Sequence, residues 1–542
     1  MRVQTRVSAI LLATAVVGSA MIVGFAKGSD YFIPGNLVVS RSVYDNNPKN
    51  VAVGETLPPG CMNGCGSAVS DGTYPYVWNN DTVDGSFGIT SKIFLDQLTP
   101  SGTLVTTLEV PNSSQRGVPP TKDQLVTSFS SKSELALNLS TDAQALTFMG
   151  YAAPINSIDV SNSNTPGVLD PTNPVSSQVF RVVAQVDSHG KFHFTETNAY
   201  SGNNGRAAIL NSADGANVLY TAGNAGNGGN PQPDGVIVAA GAQILNPEVR
   251  AMVAQDPGLP TPVGSFNITQ LGEAADKIGK DTNFRGLTIF DKVLYMTKGS
   301  GGNGINTVYF VDTTGTVCTS SNGVGLPVSG AILPFASIPY DPSLLQTQGV
   351  TPYNMCVLQG FPTALKSKTS FPFGLWFADS TTVYVADEGN GDNTYSNRPG
   401  IYTKAAAQAT AGLQKWVFDA GLGMWKRVYT LQAGLGLGVP YTVAGYPAGN
   451  NAATGLPWAP GTDGLRNLTG RVNGDGTVTI WAITSTVSGN GDQGADPNQL
   501  VVITDTLAAT TLPANESFLT LRAAGFGEVL RGVSFAPGTV TR

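Results

Sequence analysis

The sequence is poor in charged residues and in histidine. Only 12% of its 542 residues are charged, about half the usual share in globular proteins, and the net charge is −7. No run of lysine or arginine occurs, so we expect no nucleic-acid partner. The two histidines, His189 and His193, fall in a predicted hairpin, which argues against Ser/His/Asp catalysis and against a histidine base.

Glycine, proline and β-formers are plentiful instead. The chain has 65 glycines and 34 prolines, and 41% of its residues are hydrophobic. Few helix formers accompany abundant Gly, Thr, Val and Asn, a composition that favours strands joined by many turns. The sequence therefore predicts an all-β protein that buries a sizeable core.

The N-terminal segment has the features of an export signal. Two arginines lie within residues 1–6, and residues 7–26 then run without a charge and include small residues near their end. This pattern predicts a signal peptide over residues 1–26, with an uncleaved membrane anchor as the alternative. We expect a secreted, periplasmic or cell-surface protein, with no membrane contact beyond this segment and one domain over residues 31–542.

The four cysteines suit an exported protein. Cys61 and Cys65 are close enough to close a small loop, which leaves Cys318 and Cys356 as the second predicted disulfide. This pairing rests on proximity, since four cysteines allow three connectivities. A metal site is the weaker interpretation, because no second close pair or histidine cluster completes it.

One sequence unit recurs along the chain. It consists of an apolar strand, a tight turn, a strand with aromatic or β-branched residues, and a Gly/Asn-rich loop. Its copies begin at Ser133, Gly205, Phe284, Pro372 and Leu465. Second hairpins follow from Ser91, Gln178, Asn306, Leu413 and Gln499, and several carry an Asp before the turn, namely Asp96, Asp187, Asp312, Asp419 and Asp505. Two hairpins make one four-stranded antiparallel blade of a β-propeller.

The two ends of the chain complete one further repeat. LRGVSFAPG from Leu530 matches a first strand without a second, and NLVVSRSVYD from Asn36 matches a second strand without a first. Strands from both termini that share one blade close a propeller and remove its open sheet edges. Counting the shared blade, the sequence predicts six blades, with long inserted loops over 45–87, 157–177 and 440–463.

The repeat resembles that of six-bladed propellers of the NHL-repeat and SMP-30/gluconolactonase-like type. The segments TTVYVADEGNG (381–391) and SKIFLDQLTPSGTL (91–104) carry the likeness. Members of this type bind proteins or other ligands, and some are calcium-dependent lactonases. The resemblance implies the fold and does not select among these functions.

Aligning the first strands of the repeats gives a candidate binding ring. Four arginines occupy equivalent positions, and a Phe and a Glu match them in the two remaining blades: Arg206, Arg285, Arg466, Arg531, Phe373 and Glu134. Because first strands line the axis of a propeller, these arginines could bind carboxylate or phosphate at one channel mouth. Alternatively, each pairs with a neighbouring blade and holds the blades in register.

The Gly/Asn-rich loops supply a candidate calcium site. Oxygen donors cluster in two of them: Asp387, Glu388, Asp392 and Asn393, followed by Asp492 and Asp496. Carboxylate and amide oxygens are calcium ligands, yet no spacing matches a defined calcium loop, and turn formation alone also explains such residues.

Taken together, the sequence predicts a binding or scaffold protein that acts through its Gly/Asn-loop face and channel mouth. Its partner would be an extracellular protein, a glycan or an anionic small molecule. The alternative is a calcium-dependent hydrolase or lactonase in which a metal at the channel mouth polarises a carbonyl. A third hypothesis is a surface or matrix protein whose repeats serve structure alone.

Overall fold

Short strands in which apolar side chains are buried on both faces form most of the structure. The computed structural model describes residues 30–47, 49–57, 66–68, 88–119, 123–167, 177–224, 241–247, 267–268, 283–299, 305–317, 323–334, 354–364, 368–452, 454–490 and 493–540. Six small antiparallel sheets arrange as the blades of a six-bladed β-propeller, so the predicted fold class is confirmed. The predicted signal segment over residues 1–26 lies outside the described residues.

Each blade is given from its axial strand outward, with strands numbered along the chain. Blade 1 contains β30 (Glu528–Phe535), β1 (Leu37–Val43), β4 (Thr90–Leu98) and β5 (Leu104–Glu109). Blade 2 contains β7 (Asn138–Leu139), β8 (Ala145–Tyr151), β9 (Arg181–Asp187) and β10 (Phe192–Thr197). Blade 3 contains, among the described residues, β11 (Gly205–Asn211), β12 (Val218–Gly223) and β13 (Ala242–Leu245).

The remaining blades follow the same order. Blade 4 contains β15 (Phe284–Phe290), β16 (Val293–Lys298), β17 (Thr307–Asp312) and β19 (Asn354–Leu358). Blade 5 contains β20 (Pro372–Asp379), β21 (Thr382–Asp387), β24 (Gly412–Asp419) and β25 (Met424–Leu431). Blade 6 contains β26 (Gly461–Val472), β27 (Thr477–Val487), β28 (Gln499–Thr506) and β29 (Leu519–Ala523).

Minor elements lie in the connecting loops. Short strands are β2 (Thr56–Leu57), β3 (Gly66–Ser67), β6 (Thr127–Ser128), β14 (Asn267–Ile268), β18 (Val324–Gly325), β22 (Tyr395–Ser396) and β23 (Ile401–Tyr402). Helical turns are the 3₁₀ segments Val160–Asn162, Ala213–Gly215 and Gln493–Ala495 and the short helix α1 (Thr403–Ala406). Within the described ranges, no helix has the length and apolar character that crossing a membrane requires.

The axial strands contact one another in a closed ring around the channel, in the order β7, β11, β15, β20, β26, β30 and back to β7. The ring closes through blade 1, where β1 pairs antiparallel with β30 and Leu37 lies opposite Phe535. The predicted closure by strands from both termini is therefore correct. Clusters of buried apolar side chains fill the spaces between adjacent blades.

One predicted hairpin is wrong. The sequence from Asn306 suggests that the outer strand of blade 4 follows directly after the turn at Asp312. In the structure, β17 pairs instead with β19, which begins at Asn354. Asp312 still forms its turn, because its carboxylate accepts the backbone N–H groups of Thr314, Gly315 and Val317. The turn was predicted correctly, but the strand that pairs with β17 comes from a later segment of the chain.

Candidate functional site

The candidate ring positions coincide with irregularities in the axial strands. In blades 1, 3, 4, 5 and 6 the pairing of the axial strand shifts register at the ring residue, as in β11, where Gly205 pairs with Gly223 and Ala207 with Ala222. Such a bulge leaves one residue out of the ladder and turns its side chain in a new direction. The bulges therefore free the ring side chains from the regular alternation of their strands, and two of them, Arg285 and Arg466, line a cavity.

Two of the four ring arginines form hydrogen bonds to neighbouring segments of the chain. Arg531 donates to the carbonyl oxygens of Phe129 and Ser131. Arg206 donates to the Phe284 carbonyl at 3.0 Å and to the side chain of Asn283. Burial lowers the pKa of the Arg206 guanidinium, and the nearby charge of Arg285 lowers it further. Contacts of this kind fit the register-holding interpretation.

The other two arginines converge on one carboxylate. Arg285 Nη2 lies 3.6 Å from Glu388 Oε1, and Arg466 Nε lies 3.3 Å from Glu388 Oε2. These separations exceed the 2.7–2.9 Å or so of a tight charge-assisted hydrogen bond. All three side chains are at least nine-tenths buried. Arg285 also lies over the ring of Phe373, with Cζ 5.9 Å from the ring centroid.

Glu134, the ring position of blade 2, is enclosed. Its carboxylate accepts hydrogen bonds from Thr127 Oγ1 at 2.5 Å, from the Ser128 backbone N–H at 3.0 Å and from the Tyr151 hydroxyl. The side chain is 1% exposed. Its hydrogen bonds join β6 and β8 to the axial segment, which is a structural role.

A cavity of about 550 Å³ lies at the channel mouth beside Arg285 and Arg466. Its volume is within the range of about 300–1,000 Å³ that small-molecule sites occupy. Four cationic and three acidic side chains line it: Lys132, Arg285, Lys368, Arg466, Glu388, Asp392 and Asp463. Amide and hydroxyl groups of Asn306, Asn390, Ser485, Thr486 and Gln493 complete the polar wall. We call this cavity the mouth pocket.

Glycines let the blade 5 loop approach Asp463, at the start of β26. Gly389 has φ +81°, and a Cβ there would overlap the Asp463 carboxylate. A Cβ at Gly464 would likewise overlap the Asp387 carbonyl. The Asp463 carboxylate accepts the Gly391 N–H at 2.8 Å and Gln408 Nε2 at 2.6 Å. Sequence reasoning missed Asp463, although it directly precedes the close-packed Gly464.

Burial makes Asp463 a titratable group near neutral pH. Desolvation raises its pKa from 3.8 to about 7, and the negative charge of Glu388 contributes to the increase. The carboxyl group is 2% exposed at the wall of the mouth pocket. It can therefore hold or release a proton within the site at physiological pH.

The predicted calcium ligands are dispersed and mostly satisfied by protein donors. Asp387 is buried, accepts from Ser370 Oγ, Gln414 Nε2 and two backbone N–H groups, and has a pKa raised by desolvation. Asp392 accepts the N–H and hydroxyl of Thr394, which lower its pKa. Among the predicted ligands that the structure describes, only Glu388 and Asp392 line the mouth pocket.

The other predicted ligands lie farther along the loops. Asn393 donates to the Ser488 carbonyl at 3.0 Å, and Asp496 accepts the Tyr446 hydroxyl at 2.7 Å. Asp492 falls outside the described residues. Across the ranges that the structure describes, no group of three or more His, Cys, Asp or Glu side chains converges as a metal site.

Other sequence candidates have separate positions. The exposed His189 has its Nε2 3.3 Å from Asp30 Oδ1, and His193 lies on the outer strand β10. Cys356 is buried on β19, whereas Cys61, Cys65 and Cys318 lie outside the described residues. The two disulfides therefore stay a prediction.

Comparisons with known proteins find only distant structural matches. No protein-family model and no curated protein matches the chain. Similar solved structures include an acylaminoacyl peptidase from Pyrococcus horikoshii (8% identity, TM-score 0.25, covering 84% of this chain and 45% of the peptidase). A PL25 ulvan lyase matches at 10% identity and TM-score 0.30, covering 88% of this chain and 97% of the lyase. The NanB sialidase of Streptococcus pneumoniae matches at 9% identity and TM-score 0.19, covering 94% of this chain and 79% of the sialidase.

These similarities carry no argument about activity. The identities are 10% or less and the TM-scores are 0.30 or less, too low to transfer any property to this chain. This chain also spans less than half the length of the peptidase. The resemblance to NHL-repeat and SMP-30-like propellers is confirmed at the level of six blades and not as family membership.

Proposed function

We propose that the protein is an exported binding protein whose mouth pocket takes a small, hydroxylated carboxylic acid. The observation that carries this proposal is the pair Arg285 and Arg466, which approach one carboxylate, Glu388, inside a cavity of about 550 Å³. Guanidinium groups have planar, forked donors that bind carboxylates in two-point contacts. A ligand carboxylate would therefore find two preformed partners there.

The charge of the mouth pocket supports an anionic ligand. Its four cations exceed its three acidic groups, and one of these, Asp463, is partly neutral at pH 7 because its pKa is about 7. The pocket is therefore net positive in a protein whose net charge is −7. Hydroxyl and amide side chains around the arginines suit a ligand that carries several hydroxyl groups.

Calorimetric titration with a matched ligand pair tests the proposal. Galacturonate and galactose share a sugar ring and differ by one carboxylate, so we expect binding of the acid and at least tenfold weaker binding of the neutral sugar. Arg466→Gln should weaken acid binding at least tenfold. Arg471→Gln is the matched control, because Arg471 is an exposed arginine on the same strand, outside the pocket. Equal affinity of the wild type for both sugars, or equal loss in both variants, would contradict the proposal.

A hydrolase is the second candidate, favoured by the acidic pair in the mouth pocket. Glu388 and Asp463 both line the cavity, and the raised pKa of Asp463 would suit a general acid near pH 7. In the calcium-dependent version, the ion would bind Glu388 and Asp392 with loop carbonyl groups. Thermal unfolding with a chelator and then with added calcium tests it: a drop in melting temperature that calcium reverses supports a metal site, and no shift at millimolar calcium opposes it.

A further inference from the structure

A second group of buried charges lies between blades 5 and 6, away from the mouth pocket. Lys415 on β24 and Asp505 on β28 face each other with Nζ 2.9 Å from Oδ2. Neither side chain has any solvent exposure. An isolated buried ion pair is costly, because both charges lose their hydration.

Two tyrosines enclose this pair. The hydroxyl of Tyr429 donates to Asp505 Oδ1 at 2.7 Å, and the hydroxyl of Tyr384 donates to Oδ2. Lys415 Nζ lies 5.2 Å and 5.6 Å from the centroids of the two rings. Burial raises the pKa of both tyrosines, so their hydroxyls remain donors at neutral pH. Each carboxylate oxygen of Asp505 therefore accepts a tyrosine hydrogen bond, which makes the carboxyl carbon more electrophilic.

A second carboxyl group, Glu516, stands next to Asp505. Its Oε1 accepts the N–H of Thr506 at 2.9 Å and the Thr506 hydroxyl at 3.0 Å. Its Oε2 is buried, with no donor among the described residues. Burial and the neighbouring Asp505 raise the pKa of Glu516 to about 7, so the Glu516 carboxyl group can hold or release a proton near neutral pH.

We propose that Lys415 and Asp505 form an intramolecular amide bond that covalently links blade 5 to blade 6, with Glu516 as the acid–base group. The nucleophile and the carbonyl carbon are held together without water, and such positioning replaces the entropy cost of a bimolecular encounter. No cofactor or oxidant is needed, because condensation of an amine with a carboxylic acid is not a redox reaction.

The proposed step is balanced within the cluster. Proton transfer from the Lys415 ammonium to Asp505 gives a neutral amine and a carboxylic acid. The amine lone pair then attacks Cγ of Asp505, and the C–N bond forms while the two tyrosine hydroxyls stabilise the oxyanion. Glu516 gives its proton to the departing hydroxyl and takes one from nitrogen. The C–O bond breaks, one water leaves, and Glu516 returns to its starting state.

Tryptic mapping of the denatured full chain tests this linkage by mass spectrometry. Trypsin does not cleave after an acylated lysine, so we expect residues 405–426, uncut at Lys415, joined to residues 472–522. The joined species should weigh one water less than the two peptides together. Stoichiometric recovery of 405–415 and of unmodified 472–522 would overturn the proposal.

The same digest contains a matched control. Lys426 Nζ lies 2.8 Å from Asp419 Oδ2, but Lys426 is exposed and Asp419 is only partly buried. Trypsin should cleave after Lys426, which would show that short distance alone does not cause linkage. If Lys426 is also linked to Asp419, the role given to burial is wrong.

Two variants test the chemistry. Glu516→Gln, confirmed as folded by circular dichroism, should leave residues 405–426 and 472–522 unlinked. Should that variant not fold, Asp505→Asn serves, because ammonia would leave instead of water and the joined peptides would have the same mass as in the wild type. Full linkage in folded Glu516→Gln would overturn the role of Glu516, and absence of linkage in folded Asp505→Asn would overturn the proposed attack on Cγ.

Discussion

Replacing Asp463 by asparagine should change how the stability of the protein depends on pH. Because its folded-state pKa of about 7 is above the unfolded value of 3.8, the folded state binds more protons between these values. Stability from this group is thus complete below about pH 3.8 and is lost as pH rises to 7 and beyond. The full increase in the pKa of Asp463 corresponds to about 4 kcal/mol of unfolding free energy, of which about 2.5 kcal/mol is lost between pH 5 and pH 8.

Asp463→Asn removes this titration while keeping the size of the side chain. The variant loses one hydrogen-bond acceptor, a cost that does not depend on pH. Its melting temperature relative to the wild type should therefore rise by about 2 °C from pH 5 to pH 8, given roughly 1 kcal/mol per K of unfolding entropy for a chain of this size. Scanning calorimetry across this range measures it.

The control for this experiment is Asp392→Asn in the same pocket. Hydrogen bonds from Thr394 lower the pKa of Asp392, so it stays ionised from pH 5 to 8 and its replacement should give a flat difference. If Asp463→Asn is equally flat, Asp463 is ionised throughout this range. Its role as a proton donor or acceptor in the mouth pocket would then be refuted.

Two further substitutions test the construction of the mouth pocket. Glu388→Gln removes the carboxylate that competes with the ligand for Arg285 and Arg466. Calorimetry should therefore show about tenfold tighter binding of galacturonate, since the repulsion between two nearby carboxylates costs more than about 1 kcal/mol. Unchanged or weaker binding would contradict this competition. In urea unfolding, Gly389→Ala should destabilise the protein by about 2 kcal/mol more than Gly449→Ala. Both glycines have positive φ, but only a Cβ at position 389 would overlap Asp463. Equal losses of unfolding free energy in the two variants would contradict this steric reason.

The fold was largely predictable from the sequence because propeller repeats carry local signals. Each hairpin has its own turn residues and alternating apolar residues, so the blades are visible without knowledge of distant contacts. Closure of the ring by β1 and β30 was predictable for the same reason, since each end of the chain carries half of a repeat. The outer strand of blade 4, β19, was missed because it follows a long insertion after Asp312.

The site was only partly predictable, because equivalent sequence positions meet different neighbours. Alignment identified the ring arginines, but it could not show that Arg206 and Arg531 bind carbonyl groups whereas Arg285 and Arg466 share Glu388. These differences arise from loops of adjacent blades.

Aspartates before the turns show the same limit. Asp187, Asp312 and Asp419 accept backbone N–H groups of their turns. Asp505 is buried against Lys415 instead, although its place in the repeat is similar. A repeat pattern reports local conformation, and the partner of a buried charge is set by the neighbouring blade.

The most direct test of the binding hypothesis is a crystal structure of the protein soaked with galacturonate. We predict density for the sugar acid in the mouth pocket, with its carboxylate within hydrogen-bonding distance of Arg285 and Arg466 and with the Glu388 side chain turned away from them. Density elsewhere, or an empty mouth pocket in which both arginines still contact Glu388 at saturating ligand, would contradict the account.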